Sequence, residues 1–510
     1  MNRVPRIRML VLICLAHMAA AGAAFAATPE KAPVSAQFKE YLLLKAANRW
    51  PLKTASGHPL GYRPSPHGPI APVGKFNFFP LFERKQRFAA SYDLRAVPGK
   101  LSPIRNQGPA GTCWSFACFG SMESCLRPGE PQDFSENNLK NKSGFDFGWN
   151  GGGNVSMSTA YLARWAGPLL EIQDPYDPYT GTSSPTGIGP SKHAQDVIFL
   201  PTRAIGNAAD NDAIKSALLA YGGIAVSYRH QDACYDATHC SYYDPAATAE
   251  TVNHEVTIVG WDDNYPASNF AASAGNPPGS GAFIVRNSWG TDWGESGYYY
   301  VSYYDGAFGR GDLAVFTSPQ PTDNYLGQAG YDPLGWVNSI NTPWAENVFP
   351  APGAACSVRA VGVYAVAPGV PYEVRVYRNP VSGNGGTLAG TTTGTLPNAG
   401  YCTIPLASVV NLAATDTYAI RVRMTGPTYP SAIEYAWSGY SGSATAAAGQ
   451  SYYSMDGTTY TDLTTFDPTA NYCIKSFTGP VGVPAPQIAM SVNNGAATTS
   501  SNAVTLSLSL

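Results

Sequence analysis

The spacing of hydrophobic residues divides this 510-residue chain into parts with different secondary structure. Between about 91 and 317, apolar positions first follow the helical period and then gather in short apolar runs typical of buried strands. Helices followed by strands indicate an α+β unit in which a helical lobe and a β lobe enclose a crevice. The pattern predicts helices at 113–126, 156–165 and 210–221, and strands at 224–228, 255–261, 282–287 and 298–303.

The helical period disappears after a Pro-rich stretch at 318–321, which is expected to end this first unit. Beyond it, short alternating strands are separated by Gly, Asn and Pro turns, a pattern that predicts an all-β sandwich over 324–478. Residues 479–510 begin with another Pro-rich linker and are too few to bury a core. We interpret them as the start of a further β module.

The N-terminus has the pattern of a secretory signal. Basic residues precede a short apolar run, and Ala24-Phe25-Ala26 supplies the small residues of a cleavage site, so 1–26 is expected to be a signal peptide. A membrane anchor is the alternative, but the run is short, and no later segment reaches the ~18 apolar residues that span a bilayer. The mature chain is therefore expected outside the cell, with no membrane span.

Residues 27–90 contain one helical patch around 37–50 and then a run of Pro, Gly and His. We interpret this segment as a propeptide or N-terminal extension.

Composition agrees with an extracellular protein rich in strands and turns. Only 13% of the residues are Asp, Glu, Lys or Arg, against a usual share of about 25%, while Gly (52), Pro (42) and Tyr (31) are abundant. The formal net charge is −3, and no long basic run is present, which disfavours nucleic acid as a partner.

Eight of the nine cysteines remain once Cys14 leaves with the signal. Cys234 and Cys240 lie in one polar loop and are the disulfide candidate in an oxidising compartment. Cys118 and Cys125 share a helix but lie about 10 Å apart along its axis, so free thiols are expected there. Among the three cysteines of the C-terminal half, at most one pair can form; these are Cys356, Cys402 and Cys473.

Four residues in the first unit have the chemistry of acyl transfer. Cys113 begins a predicted helix, where the helix dipole and an imidazolium can lower a thiol pKa to about 3.5–7.5. Of the seven histidines, only His254 begins a buried strand, so it is the candidate base, with Asn287 on a neighbouring strand to orient it. Gln107 and the Cys113 N–H could form an oxyanion hole. Trp289 and Trp293 are expected to shield the His–Asn hydrogen bond from water.

Each residue also has a structural interpretation: a core cysteine, a packed histidine, and a turn asparagine. A zinc-protease motif is excluded because position 258 is Ile where a second His is required. The chemistry requires no metal or organic cofactor.

The motifs from Gln107 to Tyr304 resemble those of papain-like cysteine proteases. Gln-Gly-x-x-Gly-x-Cys-Trp, Asn-Gly-Gly, Asn-His and Asn-Ser-Trp-Gly-x-x-Trp-Gly occur in the family's order. The resemblance implies a two-lobe papain-like fold and a cleft wall at Gly151 and Gly152 that pairs with the substrate backbone. Ala110 and Trp149 stand where the family usually has two bonded cysteines, so both halves of that disulfide are missing together.

The second unit resembles the lectin-like β domain that follows such proteases in bacteria and archaea. The resemblance is carried by Tyr-Asp-Pro-Leu-Gly-Trp at 331–336 and by 449–457. Trp336, Trp344 and Trp437 could stack on sugar rings, but aromatic residues buried in the sandwich are the favoured interpretation.

These features together predict a secreted cysteine endopeptidase that acts on protein or peptide substrates. Transpeptidation or amide hydrolysis with the same triad is an alternative, since an amine can capture the thioester. A second alternative is a glycan-binding adhesin in which the protease-like unit is an inactive scaffold.

Overall fold

Short helices lie mainly in the first half of the chain. The structure is a computed structural model and describes residues 28–72, 88–181, 184–203, 210–270, 274–482, 489–492 and 506–509. The expected signal peptide lies outside these residues. The helices are α1 (Ala36–Ala46), α2 (Cys113–Leu126), α3 (Glu136–Lys142), α4 (Val155–Ala163) and α5 (Asp212–Tyr221).

Local sequence explains where these helices begin and end. α2 has the predicted bounds and is buried along most of its length. α4 ends earlier than predicted because Trp165 adopts a left-handed backbone with φ 59°, which a helix cannot continue through. α3 was not predicted, and it begins where the Ser135 hydroxyl accepts the Asn138 N–H as an N-cap.

The β lobe is a sheet built on the central strand β6. β6 lies between β3 and β7, and β1 also pairs with it. All four predicted strands are present, whereas β2 and β9 were not predicted. The strands of this unit are β1 (Ser91–Asp93), β2 (His193–Phe199), β3 (Ile224–Tyr228), β4 (Tyr235–Asp236), β5 (Ser241–Tyr242), β6 (His254–Asp262), β7 (Ala282–Arg286), β8 (Tyr298–Ser302) and β9 (Leu313–Gln320).

The regular secondary structure of the second unit consists almost entirely of strands. These strands form more than one sheet, as predicted. One sheet has the order β15-β14-β17-β12-β19-β20, and β11-β18-β21 form another. The strands are β10 (Gly327–Ala329), β11 (Asn338–Ile340), β12 (Trp344–Pro350), β13 (Cys356–Ala365), β14 (Val370–Arg378), β15 (Thr387–Leu396), β16 (Ala399–Leu412), β17 (Thr417–Met424), β18 (Ser431–Glu434), β19 (Ser451–Ser454), β20 (Thr461–Asp462), β21 (Asn471–Tyr472) and β22 (Lys475–Gly479). Two further strands, β23 (Ala489–Val492) and β24 (Leu506–Ser509), pair with each other in the segment that follows the second unit.

One sheet continues from the first unit into the second. β16 pairs with β2 in antiparallel fashion at Ala399–Phe199 and Tyr401–Val197, which joins β13 and β22 to the β lobe. The Pro-rich stretch expected as a break begins inside β9. β3 pairs only with the first two residues of β9, so among the described strands Pro319 has a neighbour on the β2 side alone, a position at which a sheet tolerates proline.

Hydrophobic packing also crosses the expected boundary. One buried cluster includes Phe38 of the extension, Trp114 of α2 and Val361 of β13, whereas a separate cluster around Val256 and Phe283 fills the β lobe. The helical lobe therefore shares a core with the second unit.

The cysteines of the described chain are all free thiols. The disulfide predicted between Cys234 and Cys240 is therefore absent from the structure. Cys234 is buried at the end of a short 3-10 helix, while Cys240 has φ 47° and its thiol contacts the Ala237 carbonyl at 3.8 Å, within its own loop.

The junction between the units should depend on Gly400. Its φ is 112°, and a Cβ there would overlap the Val197 carbonyl across the β2–β16 pair. We expect Gly400→Ala to lower the free energy of unfolding by about 2–4 kcal/mol, combining backbone strain with overpacking. Urea unfolding followed by tryptophan fluorescence measures this change.

Gly426 is the matched control, because its φ is 113° and no atom lies within 4 Å of an added Cβ. Gly426→Ala should lower the free energy of unfolding by about 1 kcal/mol, which is the contribution of backbone strain alone. Equal losses for the two variants would contradict a role for the close contact at the junction.

Candidate active site

Cys113 is the first residue of α2 and lies at the junction of the two lobes. Its side chain is 0% exposed. The thiol is hydrogen-bonded by the backbone of Glu255, the residue after His254, and by the backbone of Gly61 from the N-terminal extension. The candidate nucleophile therefore lies beside the candidate base, but under a segment of the extension.

His254 and Asn287 are brought together by the pairing of β6 with β7. His254 Nε2 lies 2.9 Å from Asn287 Oδ1, so the ring donates Nε2–H to the amide oxygen. This fixes the tautomer and leaves Nδ1, which is buried and has no hydrogen-bond partner. Nδ1 is therefore the nitrogen that can exchange a proton with a reacting group.

Aromatic rings cover this pair. Trp289 stacks on the His254 ring with centroids 4.7 Å apart, and His58 of the extension stacks on Trp289 at 4.5 Å. Trp293 meets Trp289 edge-on at 5.0 Å. This packing agrees with the expectation that Trp289 and Trp293 shield the hydrogen bond between His254 and Asn287 from water.

Gln107 joins the same hydrogen-bonded network. Its Oε1 accepts the Ser288 hydroxyl at 2.7 Å, and the Ser288 N–H donates to Asn287 Oδ1 at 2.8 Å. Its Nε2 donates to the Ala110 carbonyl at 2.8 Å, within the turn that leads into α2. The four residues predicted as catalytic are thus brought together.

The extension pairs with the cleft wall. The Gly153 N–H donates to the Gly61 carbonyl at 2.8 Å, and the Arg63 N–H donates to the Gly153 carbonyl at 2.8 Å. A Cβ on Gly152 would collide with the Gly61 carbonyl, and one on Gly151 would overlap Phe147. The predicted glycines line the wall, but Gly153 makes the backbone hydrogen bonds.

Burial sets the protonation of the covered pair. Burial, reinforced by Glu255, raises the pKa of Cys113 to about 12. Burial lowers the pKa of His254 to about 3, against the opposing effect of the Asn287 hydrogen bond. The lowered thiol pKa expected from the helix start is therefore wrong for this state, because the extension removes the water that would solvate a thiolate.

Sequence reasoning missed His230, which it placed in a polar loop. His230 is buried, its Nδ1 lies 2.9 Å from the Tyr228 hydroxyl, and its ring meets Trp289 edge-on at 5.0 Å. His193, also assigned to a loop, begins β2 and stacks on Trp165. Both histidines adjoin strands that are buried almost throughout, His193 as the first residue of β2 and His230 two residues after β3, and their place beside these apolar runs was the signal that could have identified them.

The structural role of Asn150, the first residue of the Asn-Gly-Gly motif, was also missed. Its Oδ1 accepts the Gly111 N–H at 2.6 Å. This hydrogen bond ties together the two loops in which Ala110 and Trp149 replace the cysteines expected from the family resemblance.

Within the described ranges, no group of three or more His, Cys, Asp or Glu residues could hold a metal ion.

Comparisons with known proteins identify both units. The family model for papain family cysteine proteases matches residues 88–312, and the model for lectin like domains matches residues 330–478. Cathepsin K of Mus musculus is 29% identical over 219 residues, which is 42% of this chain and 60% of the relative. A cathepsin L-like peptidase of Aedes aegypti is 28% identical over 214 residues, 39% of this chain and 55% of the relative. The chain thus spans a little over half the length of these curated relatives.

A solved structure shares the two-unit arrangement. The cysteine protease and lectin-like domains of Cwp84, a surface layer associated protein of Clostridium difficile, superpose with a TM-score of 0.72 at 25% identity. The match covers 89% of this chain and 98% of that chain. Residues 88–312 are therefore a papain-family cysteine protease domain, and residues 330–478 are the lectin-like domain that follows it.

Proposed function

We propose that the chain is a secreted cysteine endopeptidase made in a latent form. The observation that carries the proposal is the His254–Asn287 hydrogen bond, which leaves His254 Nδ1 without a hydrogen-bond partner. His254 is next to Glu255, whose backbone contacts the Cys113 thiol. A nucleophile, a base and a group that orients the base are the minimum for covalent acyl transfer.

In the proposed reaction, the Cys113 proton passes to His254 Nδ1 and the thiolate sulfur attacks the peptide carbonyl carbon. The tetrahedral intermediate collapses to a thioester as the C–N bond breaks and His254 returns the proton to the leaving amine. His254 then takes a proton from water, the hydroxide attacks the thioester, and the acid product leaves as Cys113 regains its proton. Asn287 keeps the ring oriented throughout.

Gln107 is proposed to stabilise the oxyanion together with the Cys113 N–H. Its amide is held from both ends by Ser288 and Ala110, so its position is fixed before substrate binds. Donors held in place in this manner stabilise developing charge without reorganisation.

We propose that the extension keeps the enzyme latent. Residues 58–63 occupy the cleft, and the extension is held from outside it as well: the Ser56 N–H donates to Asp232 at 2.5 Å, and His67 stacks on Trp336 of the lectin-like domain. Phe38 packs edge-on against Trp437 at 5.4 Å. Cleavage between 72 and the catalytic domain would release a segment anchored on both domains.

The proposed location is extracellular or at the cell surface. The signal-like N-terminus supports export, and the Cwp84 protein of similar structure is surface layer associated. Among the described residues, no helix has the length and apolar character to cross a membrane.

The lectin-like domain is proposed to bind a glycan at a cavity of about 560 Å³, a size typical of ligand sites. Tyr331 lines the cavity and stacks on Phe349. Lys475 forms an ion pair with Asp332 at 2.7 Å in the cavity lining, and Arg164 of the protease domain adds a positive charge. The tryptophans considered from the sequence do not favour this role: Trp336 and Trp344 are each 5% exposed, and Trp437 packs on Phe38.

Cys113→Ala should abolish peptide hydrolysis, because it removes the thiol that lies beside His254 and forms the thioester. We expect kcat to fall by about 10³-fold or more, measured on casein after removal of the extension. Cys125→Ala, a thiol on the same helix that contacts Thr317 rather than the cleft, is the control and should retain activity. Residual activity in Cys113→Ala comparable to the parent would refute the assignment.

Gly61→Ala should weaken latency, since a Cβ at this position would overlap the Gly111 carbonyl. We expect Cys113 in the uncleaved variant to react about tenfold faster or more with an epoxysuccinyl thiol reagent, measured by mass spectrometry. The control is Gly57→Ala in the same extension, which adds backbone strain at φ 94° but no collision, because nothing lies within 4 Å of the added Cβ. Equal rates in the two variants would show that the contact at Gly61 does not protect the thiol.

Tyr331→Ala should reduce glycan binding by the full chain, because it removes the aromatic face of the cavity. We expect affinity to fall about tenfold on a glycan array for any ligand that the parent binds. Tyr429→Ala, a half-buried tyrosine of the same domain outside the cavity lining, should bind as the parent does. A parent that binds no glycan on the array would remove this part of the proposal.

A further inference from the structure

Tyr62 of the extension fills a side pocket of the cleft. Its side chain is 1% exposed and packs in one cluster with Ala247, Val252 and Ala307. Its neighbour Gly61 hydrogen-bonds the Cys113 thiol through the backbone, so Tyr62 lies one residue away from the group that covers the nucleophile. Removal of the extension leaves this Tyr62 pocket open to a substrate side chain one residue from the attacked carbonyl.

Two residues with carboxyl side chains adjoin Tyr62. The Tyr62 N–H donates to the Asn253 carbonyl at 3.1 Å, two residues before Glu255. Glu255 lies opposite Ser227 across β3 and β6, and the Ser227 N–H donates to the Asp312 carbonyl at 2.9 Å. Burial first, and then Asp312 and Glu255, raise the pKa of the Tyr62 hydroxyl well above its ordinary value. Asp312 Oδ2 accepts the Val155 N–H at 3.3 Å, at the start of α4. Glu255 is 1% exposed, and neither of its carboxylate oxygens has a hydrogen-bond partner.

Neither of these two carboxyls has a cation beside it in the part of the latent form that the structure describes. Burial and Asp312 raise the pKa of Glu255, and burial raises the pKa of Asp312 to about 7. None of the ion pairs formed by the described residues includes either carboxyl. Burial therefore favours the protonated form of both carboxyls while the neutral Tyr62 ring fills the pocket, and a cation in its place would favour their ionisation and pair with them.

We infer that the Tyr62 pocket selects a lysine or arginine side chain of the substrate, with Glu255 and Asp312 as its specificity-determining residues. The inference rests on the proposed peptidase function. The apolar walls fit the aliphatic stem of a basic side chain, and its charged head would reach the two carboxyls. Tyr62 of the extension is an uncharged side chain of similar length in the same place. It therefore fills the pocket but forms no ion pair with the two carboxyls.

The direct test compares arginine with citrulline, which has nearly the same shape without the charge. Each is placed in turn at the three positions on either side of the scissile bond of an otherwise identical fluorogenic peptide, and kcat/KM is measured with the full chain after cleavage of its extension. We expect arginine to be favoured about 10- to 100-fold at a single position. A ratio near 1 at every position would overturn the inference.

Variants locate the origin of the preference. Glu255→Gln and Asp312→Asn keep the shape of each side chain, and each should lower the arginine-to-citrulline ratio about fivefold or more. Asp292→Asn, which removes an exposed carboxyl of the Trp289–Trp293 loop, should leave the ratio unchanged. An unchanged ratio in both pocket variants would also overturn the inference, and the parent comparison needs no variant to fold.

Casein hydrolysis and thiol labelling of Cys113 separate this inference from the proposed function. Casein hydrolysis with no arginine preference would leave the peptidase and refute the pocket assignment. Failure of both casein hydrolysis and labelling would refute the peptidase, and the pocket assignment with it.

Discussion

The pairing of β6 with β7 is the constraint on which the active site depends. Thr257 lies opposite Arg286, so Asn287 projects one residue beyond the paired segment, towards His254 on the same face of β6. This diagonal cross-strand relation brings Nε2 within 2.9 Å of Oδ1 and determines which ring nitrogen is free. At His254 itself β6 pairs with β3, opposite Tyr228, so the backbone that carries the imidazole is fixed from that side.

The proposed latency and the domain organisation are physically connected. The extension contacts the cleft through Gly61 and Tyr62, yet Phe38 and His67 pack on tryptophans of the lectin-like domain. The helical lobe shares a hydrophobic cluster with that domain, and the sheet crosses between them. The lectin-like domain is therefore part of the surface that holds the extension in place.

The cleft also accommodates the loss of a disulfide. The hydrogen bond from the Gly111 N–H to Asn150 joins the loops on the two sides of the missing bridge, and the hydroxyl of Tyr176 donates to the Gln107 carbonyl at 2.9 Å. Several short polar contacts thus fix the turn before Cys113. Their strength depends on the exclusion of water, which the burial of this turn provides.

The sequence by itself determined the chemistry of the protein: a thiol at a helix start, an imidazole at a strand start, and the amides of Asn287 and Gln107. It also determined the α+β unit and the all-β unit, because both follow from local hydrophobic periods and turn residues. Only the tertiary structure decided that β2 and β16 join the units, that His230 is buried beside the site, and that Tyr62 fills a pocket with two carboxyls. These features arise from contacts between residues far apart in the chain, and no local period records which distant residues will meet.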